Sequence, residues 1–334
     1  MGSGMQSLAR LEISVTRGGG EAVISKLFKQ LVLSCFHLIA VFPSASLPLT
    51  QDTRQPLPPT AAYYIPSQTL LAPPSSLQTR TKLTMSLQSK VALITGGAKN
   101  LGAEIARELA GLGANLALHY NSAKSKADAD SLGQELASKY PDAKVKFYQG
   151  DLTTEAAVEK LFQAAKADLG RIDIVVNTVG KVLKKAIGEI SEAEYDSMFA
   201  INSKAAFFIL KAGSKHVADG GKIVTIVTAL LAAFTGLYTS YAGSKAPVEH
   251  FTRGAAKELQ SRLVSVNAVA PGPMDTPFFY PQESDEAVAF HKSQALGGRL
   301  TEVRDIAPLV RFLVTEGGWI TGQTLFANGG YTTR

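Results

Sequence analysis

The sequence predicts a doubly wound α/β domain, with a parallel sheet of about seven strands and helices on both faces, preceded by a disordered N-terminal extension. Three observations carry this prediction. Short apolar runs alternate with longer helical stretches from Lys90 onward. A glycine-rich turn joins the first run to the first helix. The composition changes abruptly at Met85.

Residues 1–84 differ from the rest. The apolar run from Gln30 to Phe42 is shorter than the ~20 residues of a membrane-spanning helix. From Pro43 to Thr84 there are eight prolines, many polar residues and one acid, Asp52. Such a segment does not build a packed core. Signal sequence, organelle transit peptide and mis-assigned start are the competing readings of it. The apolar run begins late for a signal sequence, and "SLQSKVALITGG" directly after Met85 looks like an ordinary domain start. Residues 85–334 are therefore expected to form the working domain, without a stable membrane span.

Within that domain, "KVALIT" reads as a buried strand and "LGAEIARELAGLG" as a helix ending at glycines. "NLALHY" is a strand, "SKADADSLGQELASKY" a helix and "KVKFYQG" a strand. "AAVEKLFQAAKADLG" is a helix and "IDIVVN" a strand. The region from Glu192 to Val217 is helical, "KIVTIVT" is a strand, "VEHFTRGAAKELQS" a helix and "VSVNAVAP" a strand. The chain shows no internal repeat.

Composition narrows the function classes. The 334 residues are 46% hydrophobic and 19% charged, as a globular protein with a large core requires. The net charge is +6, but residues 1–84 hold seven Lys/Arg against three Asp/Glu, so most of the excess lies outside the domain. That argues against nucleic-acid binding. A single cysteine, Cys35, excludes an internal disulfide framework and fits a reducing compartment. The cytoplasm is the expected location, with an organelle or membrane-associated form left open by the extension. The five histidines show no metal-ligand spacing, and no catalytic metal is expected.

The turn "LITGGAKNLGAEIA" follows the first strand and opens the first helix, where backbone N–H groups meet a pyrophosphate. Its spacing is Thr95, Gly96, Asn100, Gly102. An NAD-preferring site places an acid about 20 residues on. Here the second strand ends in Asn121, Ser122, Lys124 and Lys126, with Lys99 in the glycine turn and no acid before Asp128. That set suits a 2′-phosphate and predicts NADP (NADPH) over NAD. The alternative is a solvated face for Lys124 and Lys126.

Tyr241 precedes Lys245 by four residues, with only small residues between them. On a helix the two would share a face. A nearby cation favours a phenolate, so the pair suits proton exchange with an alcohol or carbonyl. The spacing alone is common, and Tyr140–Lys144 shows it too.

Residues 85–334 resemble a short-chain dehydrogenase/reductase, most closely the NADP-dependent members of filamentous fungi. The resemblance rests on ordered motifs: the glycine turn with Lys99, Asn100 and Leu101 between Gly96 and Gly102; "GDLT" with Asp151; "NTVG" with Asn177 and Gly180; "AINSKAAFF" with Asn202; "YAGSK" with Tyr241 and Lys245; "PGPMDT" with Gly272, Met274 and Thr276; and "ITGQTLFANGG" as the last strand. It implies a Rossmann domain that interconverts a carbonyl and an alcohol. By that resemblance Tyr241 exchanges the proton, Lys245 lowers the Tyr pKa and binds the nicotinamide ribose, and Asn202 supports a relay water. Asp151 contacts adenine, and the segment from Gly272 to Thr276 closes over the nicotinamide. The polarising hydroxyl, usually Ser, is Thr228 here, which can donate the same hydrogen bond. Asn100 stands where the family has a glycine, and Thr178 and Val179 replace Asn and Ala.

Pro247 follows Lys245 by two residues. Proline inside a helix costs about 3 kcal/mol, so the helix carrying the pair is expected to start near Ser244 or to bend there. The segment from Pro273 to Gly298 stands where the family has a substrate lid. Phe278, Phe279 and Tyr280, with Leu230, Leu231 and Phe234, are candidates to cover an apolar or aromatic substrate. Lys181, Lys184 and Lys185 read as a solvated basic face. A ketone, a 3-oxoacyl thioester or a secondary-metabolite intermediate fits as substrate. The resemblance implies a homodimer or homotetramer built on the helices carrying Asn202 and Tyr241. The rival readings are a non-catalytic NADP-binding regulator or scaffold, and an enzyme of another reaction on the same scaffold.

Overall fold

The fold is that of a computed structural model in which residues 86–334 are described; the expectations for residues 1–84 lie outside them. Seven strands form one sheet in which every pairing is parallel: β1 (Val91–Thr95), β2 (Asn115–Tyr120), β3 (Val145–Gln149), β4 (Ile174–Asn177), β5 (Lys222–Ile226), β6 (Ser265–Pro271) and β7 (Thr324–Ala327). Their order is β3-β2-β1-β4-β5-β6-β7. The helices are α1 (Asn100–Ala110), α2 (Lys126–Lys139), α3 (Glu155–Leu169), α4 (Glu192–Phe199), α5 (Ala205–His216), α6 (Thr239–Glu258), α7 (Asp285–Ser293) and α8 (Val303–Thr315).

Side chains of a strand alternate between the faces of the sheet, and both faces here are apolar. Ile94 of β1 packs with Ile105 and Leu109 of α1 and with Ile306, Val310 and Leu313 of α8. Leu93, the neighbouring residue, joins Phe162 of α3 and Ile209 of α5 on the opposite face. Covering on both faces explains why β1 is buried at every residue and reads as an unbroken apolar run. The chain order reverses between β1 and β4, which opens a crevice at the carboxyl ends of those strands.

Two helices depart from expectation. The stretch from Glu192 onward is not one regular helix: between α4 and α5, Ala200–Lys204 forms a π-helical turn in which Ala205 N–H bonds to the Ala200 carbonyl. Pro247 neither starts nor ends α6, which runs from Thr239 to Glu258 with the proline inside it. The residue four before the proline, where ring and carbonyl crowd each other, is Gly243, with open space around its Cα. Burial of Tyr241, Ser244, Lys245, Val248 and Thr252 along α6 offsets the lost hydrogen bond.

Asp173 fastens the start of the central strands. Its buried carboxylate accepts from the Val91 N–H at 3.0 Å, Lys90 Nζ at 3.2 Å and Arg171 Nε at 2.8 Å. Replacing it with alanine leaves the Val91 N–H without its charged acceptor. The expected loss is about 2 kcal/mol, seen as a lower urea midpoint by circular dichroism with an unchanged m-value.

Candidate active site

The crevice holds a cavity of ≈ 600 Å³ lined by residues from both halves of the sheet. Its nucleotide end is built on the β1–α1 turn. Asn100 takes the left-handed conformation (φ 48°), which asparagine tolerates better than most non-glycine residues, and so replaces the expected glycine. Gly102 lies so close to the turn that a Cβ would meet the Gly96 carbonyl oxygen at 2.3 Å. Gly96, Lys99, Asn100, Leu101 and Gly102 line the cavity, as do Asn121, Ser122, Lys124 and Asp151. Lys126 turns to Asp130 at 2.5 Å and does not line it. Expected as a pair, the two lysines are therefore separated: one faces the cavity and one the solvated helix surface.

His119 was not legible as a site residue. It is buried and lines the cavity between the glycine turn and the strand β3 end. Its Nδ1 accepts from the Gly96 N–H at 3.3 Å, while Nε2 faces the Gly150 carbonyl at 2.7 Å. Those partners fix the tautomer with the proton on Nε2. Burial lowers its pKa and keeps it neutral, which preserves the acceptor that holds the turn.

Tyr241 stands in the first turn of α6, and Lys245 lies one turn further on, so both side chains project from one helix face into the cavity. Lys245 is 5% exposed, and its Nζ donates to the Ile226 carbonyl at 3.0 Å. Burial pushes its pKa down to about 8. Burial pushes the Tyr241 phenol up to about 12, and an interaction with the Thr228 hydroxyl opposes that rise. The expected lowering of the Tyr pKa does not appear: removal from water dominates, the opposing influence is the Thr228 hydroxyl, and the phenol is protonated at neutral pH. Thr228 lies two residues beyond β5 in extended conformation, with Oγ1 accepting from the Leu230 N–H at 3.3 Å.

Two predicted residues stand behind the cavity wall. Asn202, in the π-turn, accepts from the Lys181 N–H at 2.9 Å and donates to the Lys181 carbonyl at 2.8 Å and to Ser244 Oγ at 2.9 Å. Its side chain clamps the Gly180–Lys181 backbone to α6. Asn177 is buried, accepting from Thr95 Oγ1 at 2.8 Å and the Val179 N–H at 3.0 Å. It is absent from the cavity lining because both of these bonds turn it into the end of the sheet. Gly180, by contrast, lines the cavity, and a Cβ there would sit 3.1 Å from Lys245 Nζ.

Gly272, Met274 and Thr276 line the side reached by β6. Phe278, Phe279 and Leu230 do as well. Tyr280 faces outward with its hydroxyl on Asp275 at 2.6 Å, Leu231 packs against Val227 and Val248, and Phe234 is fully exposed, so these three do not line the site. Tyr238, Gln282, His291 and Tyr331 do line it, unforeseen. Only Tyr238 left a signal, three residues before Tyr241 on the same helix side.

The model of the family described as enoyl-(acyl carrier protein) reductase matches residues 96–332, and a short-chain type dehydrogenase/reductase of Picea abies is 34% identical over 251 residues, covering 73% of this chain and 93% of that protein. The chain belongs to the short-chain dehydrogenase/reductase family. A hydroxynaphthalene reductase-like protein Arp2 of Metarhizium brunneum is 35% identical over 268 residues, covering 74% of this chain and 97% of that one. Among solved structures, a putative dehydrogenase from Burkholderia cenocepacia with bound NADP is 58% identical, with a TM-score of 0.73 over 75% of this chain and 96% of that chain. Among the described residues, no helix of this short-chain dehydrogenase/reductase is long and apolar enough to cross a membrane.

A buried ammonium at the centre of the site has a stability consequence. The Lys245 pKa is about 8 when folded, against an ordinary value of 10.5. The unfolded chain therefore binds the extra proton between those values, and the cost is full below pH 8 and vanishes above pH 10.5. Lys245→Met is expected to be more stable than the parent at pH 7, by about 3 kcal/mol at most. The difference should shrink as pH rises through that window, as urea midpoints taken at a series of pH values would show.

Proposed function

We propose that the protein is an NADP(H)-dependent oxidoreductase that interconverts a carbonyl and an alcohol, with residues 85–334 as the working domain and Tyr241 as proton donor and acceptor. The observation that carries this is one buried face on which the Tyr241 phenol, the Thr228 hydroxyl and the Lys245 ammonium meet a cavity whose other end is a glycine turn. Two hydroxyl groups converging on one spot suit a carbonyl oxygen that gains charge as it is reduced.

The residues fit the cofactor. The Gly96–Gly102 contact leaves room for a pyrophosphate only while both positions lack side chains. Lys99, Asn121, Ser122 and Lys124 supply donors and positive charge for a 2′-phosphate, and the homologous Burkholderia dehydrogenase carries NADP. When bound, NADPH supplies the hydride. Tyr241, protonated at neutral pH, gives its proton to the carbonyl oxygen while Thr228 holds that oxygen by a hydrogen bond. Lys245, charged below about pH 8, stabilises the phenolate left behind. Asn202 and Asn177 act through the backbone they fasten. Leu230, Phe278 and Phe279 exclude water and favour an apolar or aromatic substrate, in keeping with the aromatic reductase named among the relatives. A homo-oligomer on α5 and α6 is part of the same reading; Phe207 of α5 is exposed there, packed edge-on against Phe251 of α6.

The test follows absorbance at the NADPH band with a panel of ketones, quinones, aromatic aldehydes and 3-oxoacyl thioesters. Turnover is expected with NADPH and much more weakly with NADH. Tyr241→Phe should lower kcat by roughly 10²–10⁴-fold while leaving NADPH binding intact, and undiminished turnover in that variant would exclude the mechanism. Gly102→Ala should do the reverse and weaken NADPH binding at least ten-fold in a fluorescence titration.

A further inference from the structure

Three lysines on the β4–α4 connection, Lys181, Lys184 and Lys185, would by themselves draw anionic substrates to the cavity mouth. They do not form the one uniform solvated face that their sequence suggests. Lys185 pairs with Glu194 of α4 at 2.9 Å. Lys181 is exposed, and its Nζ donates to Ser197 Oγ at 3.1 Å. Lys184 is different: it meets Glu283 at 2.5 Å, and their side chains are only 21% and 0% exposed.

Glu283 arrives from the segment between β6 and α7, on the far side of the cavity. Its second oxygen accepts the Tyr238 hydroxyl, and His291 Nε2 lies 3.4 Å from the first. The other nitrogen of His291 faces the Tyr331 hydroxyl at 2.8 Å. Burial favours the neutral carboxyl, but the Lys184 ammonium and the Tyr238 hydroxyl outweigh it and hold Glu283 below the ordinary range, hence ionised. The wall in front of the pair is Tyr238, Gln282, His291 and Tyr331, all of which line the cavity. Lys184 sits directly behind it: its N–H donates to Gln282 Oε1 at 3.2 Å, and its ammonium lies 5.8 Å from the centre of the Tyr238 ring. Cancelled by Glu283, that charge is absent from the wall formed by these four residues, which offers hydroxyls, an amide and aromatic rings; Lys181 lines the cavity separately, its ammonium on Ser197 Oγ. Without Glu283 a cation would stand one ring away from the substrate.

We propose that Glu283 tunes specificity at the substrate end of the cavity: by neutralising Lys184 behind the Tyr238 wall, it favours uncharged carbonyl compounds over those bearing a carboxylate. The inference rests on the reductase reading only for which end of the cavity takes substrate. Glu283 touches neither substrate nor reacting atoms and acts through Lys184 and Tyr238. A unit charge exposed roughly 10 Å from a substrate carboxylate, at an effective dielectric constant of about 20, changes affinity by about ten-fold.

The experiment measures binding, so that it does not depend on turnover. Dissociation constants for para-formylbenzoate and for its methyl ester are determined by calorimetry on the full chain saturated with NADP. In Glu283→Gln the acid-to-ester affinity ratio should rise about ten-fold, and in Lys184→Met/Glu283→Gln it should return to the parent value. A merely structural role would weaken both ligands alike and leave the ratio fixed. An unchanged ratio in a Glu283→Gln variant that keeps the parent's melting temperature and NADP affinity overturns the proposal, as does a rise that survives in the double variant. Should Glu283→Gln not fold, Lys184→Met leaves the carboxylate uncompensated and must lower the ratio; no change there overturns it equally. Failure of the parent to reduce the bound ester with NADPH would count against the reductase reading and leave the ratio standing.

Discussion

A lysine side chain held almost fully out of water, with its ammonium 3.0 Å from the Ile226 carbonyl, costs free energy that the surrounding packing has to offset. The site depends on that offset being available. It comes from the sheet: Ile226 ends β5, in the middle of seven parallel strands whose two faces are sealed by α1 and α8 on one side and by α3 and α5 on the other. Helix α6 can then place Lys245 and Tyr241, both largely buried, over the carboxyl ends of the strands. The same desolvation moves the two groups in opposite directions, the phenol up and the ammonium down. Each consequence suits proton donation, since the phenol keeps its proton and the ammonium titrates close to physiological pH.

Charge is arranged unequally along the cavity. Lys99 and Lys124 line the nucleotide end, and Lys99 has only a distant partner, Asp128 at 4.0 Å. At the substrate end, Lys184 and Lys185 each meet a carboxylate. Lys181, which also lines the cavity, donates to Ser197 Oγ and meets no carboxylate among the described residues. His119 adds a neutral device to the nucleotide end: it holds the glycine turn through an acceptor nitrogen and adds no charge there.

Much of the fold was legible because the central strands are covered on both faces and so appear as short apolar runs, and because the glycine turn marks where the first strand becomes a helix. Most of the candidate site was legible for a related reason, since residues at the carboxyl ends of strands converge wherever a parallel sheet opens. What escaped has physical causes. Asn177 sits at a strand end like its neighbours, but two local hydrogen bonds turn it inward, and no spacing rule records that. The proline rule gave the wrong boundary for α6 because tertiary burial of the first turns outweighs the cost of Pro247. His291 and Tyr331 are 40 positions apart and meet only through folding. The Lys184–Glu283 pair spans 99 positions, and from sequence the lysine reads as solvated because its partner arrives from the far side of the cavity.

The two irregular helices are best understood together. The π-turn at Ala200–Lys204 widens the backbone by one residue and turns Asn202 and Ser203 toward α6. Both meet the same residue there: Asn202 Nδ2 donates to Ser244 Oγ at 2.9 Å, and Ser203 Oγ donates to the Ser244 carbonyl. Ser244 lies between Tyr241 and Pro247, next to Gly243, whose carbonyl lacks the donor that Pro247 cannot supply. Each defect alone would weaken its helix. Joined, they tie the β4–α4 connection to α6 through Asn202 and Lys181, and so fix Gly180 close to the Lys245 ammonium. Restoring a regular helix at either place would add local stability and lose that tie. The irregularity is therefore better read as part of how the site is positioned than as a flaw that the fold merely tolerates.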